Sequence, residues 1–88
     1  MKITIEISMY PLSDDYEQRV LTFIEFIKNK GLRYKVNPTA THIFGESDAV
    51  FNALHEGISR SFQKGQKAAF VLKVLPGDLE NSLDGLSL

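Results

Sequence analysis

The chain contains no cysteine, which excludes disulfides, thiolate nucleophiles and thiolate metal sites together. It also lacks any run of about eighteen apolar residues, the length a helix needs to span a bilayer. There is no charge of one sign in excess: ten basic and eleven acidic residues leave a net charge of −1. These charges are spread along the chain, so no stretch is basic enough to follow a phosphate backbone, and nucleic acid is not an expected partner. Residues 1–9 alternate apolar and polar. A secretory signal would show a basic end followed by an unbroken apolar block, so export is not expected and the chain reads as cytoplasmic. No glycine-rich phosphate-binding fingerprint is present, since Gly31 and Gly45 stand where elements stop.

What is present is ordinary for a soluble globular chain: 43% hydrophobic and 24% charged residues over 88 positions. That length makes one domain with a thin stability margin, which association with a second copy would widen. Ile3, Ile5, Ile7 and Met9 alternate with Thr4, Glu6, Ser8 and Tyr10, the pattern of a half-buried strand, and Pro11 ends it. Ser13, Asp14 and Asp15 offer a helix cap with acids in the first turn. Tyr16, Val20, Phe23, Ile24 and Ile27 follow at helical spacing, and Gly31 is the stop. Leu32, Tyr34 and Val36 mark a second strand, Asn37-Pro38 a turn, and residues 40–44 a third strand, so that these two form an antiparallel hairpin.

Ser47 or Asp48 is expected to cap a second helix carrying an apolar stripe of Val50, Phe51, Leu54, Ile58 and Phe62. Gly57 inside it costs on the order of 1 kcal/mol against alanine. Lys64-Gly65 ends the helix, and residues 68–75 make a fourth strand stopped by Pro76-Gly77. Each helix has one apolar stripe, so both must lie on one face of a shared sheet. Right-handed crossovers then place strand one between strands three and four. The expected architecture is an α+β, ferredoxin-like βαββαβ sandwich: a four-stranded antiparallel sheet of order 4-1-3-2 with two helices on one face. The domain is taken as residues 1–78, with a tail at 79–88 in which Leu79, Leu83 and Leu86 could form a short amphipathic turn.

In this topology Thr4, Glu6, Ser8 and Tyr10 face away from the helices, and strand three is expected to add Thr39, Thr41 and Ile43 to the same open face. Glu6, Ser8, Tyr10, Asn37, Thr39 and Thr41 then converge on one end of the sheet as a candidate ligand site. Alternating polar residues on an open face are more often simply its solvated side. Against that stand Ile43, Ala69 and Val71 beside Lys73, a mixed face of the kind a second subunit or a ligand covers. His42 and His55 lack a third ligand at metal spacing and read as structural or exposed. Ser8 has no histidine placed to activate it. The phenylalanines at 23, 51, 62 and 70 read as core.

Residues 6–12 (Glu-Ile-Ser-Met-Tyr-Pro-Leu), 31–34 (Gly-Leu-Arg-Tyr) and 38–41 (Pro-Thr-Ala-Thr) resemble the thiamine-binding, YkoF-like proteins, as do Gly45-Glu46 and residues 76–78 (Pro-Gly-Asp). The similarity runs from about Ile3 to Asp78 and rests on the order and spacing of short motifs. It implies a ferredoxin-like domain that holds thiamine or its hydroxymethylpyrimidine part without altering it, in thiamine salvage or uptake. It also implies a homodimer or dimer of dimers assembled through the open sheet face. An aminopyrimidine presents an exocyclic amine and ring-nitrogen acceptors, and the carboxylate, hydroxyls and amide of the candidate residues match these, with Tyr10 available to stack. Thiamine's permanent positive charge would favour Glu6 or an aromatic face. One departure is Phe44, near whose position many members of the family carry a carboxylate.

The reading is therefore a non-catalytic small-ligand binder with no cofactor or metal. The alternative is an oligomeric structural or regulatory ferredoxin-like module that senses another small molecule, an analogy of fold alone. An acylphosphatase-like hydrolase is disfavoured, because residues 11–15 (Pro-Leu-Ser-Asp-Asp) are acidic and lack the glycine and arginine of a phosphate loop.

Overall fold

A computed structural model describes residues 1–82 of the chain. The elements run β1 (Lys2–Pro11), α1 (Tyr16–Asn29), β2 (Arg33–Val36), β3 (Thr41–Glu46), α2 (Ser47–Ser61), a short 3-10 turn (Gln63–Gly65) and β4 (Ala68–Pro76). The four strands form one sheet of order β2-β3-β1-β4, with every neighbouring pair antiparallel. This is the expected ferredoxin-like arrangement, with β1 in the middle.

The core lies where alternating strand residues meet the two helix stripes. Ile3, Ile5 and Ile7 of β1 and Ile43 of β3 pack against Phe23 and Ile27 of α1 and against Val50, Ala53 and Leu54 of α2. Fully burying each of the larger side chains stabilises the fold by about 1.5–3 kcal/mol. Gly57 is also buried, at the crossing of the helices: a Cβ there would stand 3.1 Å from both Phe23 and Phe26. A side chain there would press on both rings, which weighs against the helix-propensity gain that another residue would bring.

Several local expectations are corrected. Asp15 precedes α1 without a side-chain cap, because its carboxylate instead accepts from the Ser13 hydroxyl at 2.6 Å. Neither Ser47 nor Asp48 caps α2: the helix begins at Ser47, straight after β3, and the Ser47 N–H donates to the Met1 carbonyl at 2.8 Å. Phe51 and Phe62 are 45% and 46% exposed rather than core. Phe51 follows Val50 and is turned about 100° from the buried stripe, while Phe62 lies beyond the last turn and packs edge-on against Phe70.

The sheet face away from the helices is not bare at both ends. After β4 the chain turns at Gly77 and crosses the sheet. The Thr4 hydroxyl donates to the Gly77 carbonyl and accepts from the Leu79 N–H, both at 2.9 Å. Arg33 of β2 pairs with both Asp78 and Glu80, and the Lys35 ammonium donates to the Glu80 carbonyl. Arg33 and the Glu80 N–H hold the Asp78 carboxyl below its ordinary pKa, and the two acids raise that of Arg33. Beneath this strap Thr4 and Phe44 are buried. The first part of the predicted tail is therefore built into the fold, whereas Leu83 and Leu86 lie outside the described residues.

Candidate functional site

The register of β3 decides which of the six candidate residues can meet. Ile7 pairs with Thr41, Ile5 with Ile43 and Glu6 with His42. Directly opposed residues share a face, so Thr41 and Ile43 lie with the isoleucines on the helix side. The open face of β3 carries His42 and Phe44 instead. The expected placement of Thr41 and Ile43 on the open face is thus overturned by one residue of parity, because β3 begins at Thr41 and the preceding turn resets the alternation. Ala69, Val71 and Lys73, paired with Tyr10, Ser8 and Glu6 respectively, do lie on the open face as expected.

Glu6 is consequently separated from Thr41 by the thickness of the sheet. Its carboxylate stands 3.3 Å from His42 Nε2 and 3.8 Å from Lys73 Nζ, in a polar row across three strands. Ser8 reaches the β2–β3 turn, donating to the Thr39 carbonyl at 2.9 Å. Within that turn Asn37 Oδ1 accepts from the Thr39 N–H, the Thr39 hydroxyl and the Ala40 N–H at 3.0, 3.1 and 2.9 Å. Such Asx geometry fixes a turn with side-chain oxygen in place of backbone. Ser8, Asn37 and Thr39 therefore act as one unit that sets the rim of a cleft.

The cleft itself lies on the helix side, between the first half of α1, the end of β1 and the β2–β3 turn. It encloses about 570 Å³ and is lined by Tyr10, Asn37, Thr39 and Thr41 among the candidate residues. That volume falls within the range of roughly 300–1,000 Å³ usual for small-molecule sites. Its apolar wall comes from Ile7, Met9, Val20, Phe23, Ile24 and Val36, and Tyr16 and Glu17 of α1 complete it. Thr41 is 6% exposed, so its hydroxyl is a polar group set in an apolar wall. Tyr10, Tyr16 and Val36 remain more than half exposed at the rim.

Tyr16 was not among the residues the sequence suggested, nor was Glu17, but for Tyr16 a signal existed. Tyr16, Val20 and Ile24 belong to the apolar stripe of α1, yet only Arg19, Phe23 and Ile27 of that helix are buried. The stripe is wider than the core it covers, and the excess faces the cleft. A second groove of about 450 Å³ runs between α1 and α2, but its cationic side chains are engaged. Arg19 binds the Ser13 hydroxyl and the carbonyls of Lys67 and Ser61, and Arg60 lies over the Phe26 ring and beside Glu56. Among the described residues no group of three or more His, Asp or Glu is placed to hold a metal ion.

A ferredoxin-like sandwich with a largely apolar cleft, a threonine hydroxyl in its wall and a hydrogen-bonded rim has the form of a small-molecule binding domain. The profile of the thiamine-binding protein family matches residues 5–76. The chain belongs to that family. Solved structures with the same fold include a proposed thiamine biosynthesis/salvage protein of Thermotoga maritima, at 21% identity and a TM-score of 0.78, covering 100% of this chain and 91% of that one. A Streptococcus pneumoniae protein gives 23% identity and 0.82 over 96% and 94%. A Bacillus cereus domain of unknown function gives 20% and 0.80 over 93% and 86%. A search of curated proteins finds no match. No helix among the described residues is long and apolar enough to cross a membrane.

Proposed function

We propose that this protein binds thiamine through its aminopyrimidine ring and does not alter it, acting in the cell's salvage or uptake of the vitamin. The observation that carries this reading is the cleft in a chain of the thiamine-binding family: an apolar slot with Thr41 buried in its wall and the Asn37–Thr39 turn at its rim. Ring-nitrogen acceptors and an exocyclic amine require a few convergent donors and acceptors beside an apolar wall. Asn37 spends its carbonyl oxygen on the turn and has its amide N–H groups to offer a ligand. Tyr16, on α1, can lie against the ring. Nothing in this arrangement pairs a nucleophile with a base, so binding rather than catalysis is the chemistry it favours.

Isothermal titration checks the proposal. Thiamine, and more weakly hydroxymethylpyrimidine, are expected to bind saturably. Thr41→Val keeps the shape and removes the hydroxyl, and is expected to weaken binding by about tenfold, the cost of an unmatched polar group in a buried site. Glu6→Ala, on the opposite face, should leave affinity unchanged to within about twofold. Absence of heat with both compounds would reject the reading, and a large loss on Glu6→Ala would move the site to the open face.

We further propose that copies associate through the part of the open face that the strap leaves uncovered. Val71 there is 59% exposed, beside Ala69 and Lys73, and a mixed face of this kind is commonly a contact surface. Light scattering on the eluting protein should give a mass at least twice that of the chain; a monomer at all concentrations rejects the proposal.

A further inference from the structure

The charges around the cleft discriminate between forms of the proposed ligand, an inference that rests on the binding reading above. Glu17 is the charged residue among those lining the cleft, and no lysine or arginine among the described residues lines it. Asp14 and Asp15 precede the same turn of α1 but do not line the cleft: Asp15 lines the other groove and accepts from the Ser13 hydroxyl. Two basic side chains of neighbouring elements are directed elsewhere. Arg19 is 8% exposed and holds Ser13, Ser61 and Lys67, while Lys35 shares the open face with its register partner His42 and reaches the Glu80 carbonyl.

One feature works in the opposite direction. The first turn of α1 reaches the cleft through Tyr16 and Glu17, and it has no side-chain cap. A helix N-terminus is equivalent to about half a positive charge. Against it stands the full carboxylate of Glu17 inside the cleft, so the local potential is negative. A phosphate ester entering here would bring about −1.5 to −2 charges and find no cation to meet it.

We infer that Glu17 is the specificity-determining residue of the cleft, selecting unphosphorylated, cationic thiamine over its mono- and diphosphate esters. With the pyrimidine held among Thr41, Thr39 and Asn37, the thiazolium lies toward the first turn of α1, where the Glu17 carboxylate faces its permanent charge. A hydroxyethyl chain extends outward from that ring and passes without electrostatic cost. A phosphate in its place meets the Glu17 carboxylate.

Titration of the full chain with thiamine, thiamine monophosphate, thiamine diphosphate and uncharged hydroxymethylpyrimidine tests this. The wild type is expected to bind thiamine about tenfold or more tightly than the diphosphate at low salt, and the gap should narrow as salt screens the site. Glu17→Gln should weaken thiamine by about fivefold, as for a partly exposed ion pair, while changing hydroxymethylpyrimidine by less than about twofold. Glu17→Lys should bring the diphosphate level with thiamine or above it. Glu25→Gln, on the α1 surface of the other groove, should match the wild type. Thiamine and diphosphate binding equally, or Glu17→Gln weakening the uncharged pyrimidine as much as thiamine, would overturn the inference and leave the binding reading standing. Failure of both thiamine and hydroxymethylpyrimidine to bind the wild type would overturn the binding reading, and the selectivity with it.

Discussion

Replacing Arg19 by methionine is expected to destabilise the domain by about 3 kcal/mol, a large share of the roughly 4–13 kcal/mol that a chain of this length commands. The guanidinium is 8% exposed. Its Nη1 donates to the Ser13 hydroxyl at 3.1 Å and to the Lys67 carbonyl at 2.7 Å, and its Nη2 donates to the Ser61 carbonyl at 3.1 Å. One side chain thus ties the loop before α1, the end of α2 and the start of β4. Methionine fills most of the volume but leaves two backbone carbonyls without their charged donor, and hydrogen bonds to charged groups are worth about 1.5–3 kcal/mol each. Lysine keeps the charge but lacks the planar fork, so Arg19→Lys should recover only part of the loss. Urea unfolding checks this: at a slope of about 1.5 kcal/mol/M, the midpoint of Arg19→Met should fall by roughly 2 M. A fall below about 0.5 M would mean that water replaces the arginine at low cost.

Gly57→Leu is the second substitution with a large expected effect, and it should reach the cleft as well as the fold. A Cβ at this position lies 3.1 Å from Phe23 Cε1 and 3.1 Å from Phe26 Cδ1, so even alanine requires the rings to yield by tenths of an ångström. For alanine the helix-propensity gain of about 1 kcal/mol offsets that strain, and Gly57→Ala should change stability by less than about 1 kcal/mol. Leucine adds a branched chain where the helices cross, and overpacking of this kind costs about 1–3 kcal/mol. Phe26 cannot readily swing outward, because the Lys30 ammonium and the Arg60 guanidinium lie 5.2 and 4.9 Å from its centroid. The displacement therefore falls on Phe23, which also lines the cleft. Thermal unfolding should show a lower midpoint for Gly57→Leu, and ligand affinity should drop in parallel by about fivefold, the effect of a shifted wall in an apolar site. A stable variant with unchanged affinity would show that the crossing is loose enough to open without moving Phe23.

The sequence made the strand and helix order legible because each element carries its own period. The alternation of Ile3, Ile5 and Ile7 and the stripe of Phe23 and Ile27 each have one reading, and from them the sheet order follows by handedness alone. Parity through the β2–β3 turn was not legible. Residues 37–40 are exposed or half-buried and carry no alternation, so the phase of β3 could not be transferred from strand two, and Thr41 was placed on the wrong face. Among the candidate residues, Tyr10, Asn37, Thr39 and Thr41 line the cleft, Ser8 braces its rim, and Glu6 is directed away from it. Glu17 was hidden for another reason: an acid in the first turn of a helix is what the helix dipole favours anyway, so its position gave no sign of a second role. Phe44, the departure from the family pattern, is buried under the strap, toward the end of β3 away from the cleft.

The strap also bears on where this domain stops. The family profile ends at residue 76, and Pro76 is the last residue of β4, so both homology and secondary structure invite a boundary there. A chain trimmed to that limit would strip the cover from Thr4 and Phe44 and leave Arg33 without Asp78 and Glu80. Residues 77–82 form no helix or strand, yet they seal one end of the sheet. Truncation at Pro76 would uncover Thr4 and Phe44 beside the surface through which copies are proposed to meet. The cover of this sheet is therefore completed by residues beyond its last strand, at the Leu79 N–H that answers Thr4.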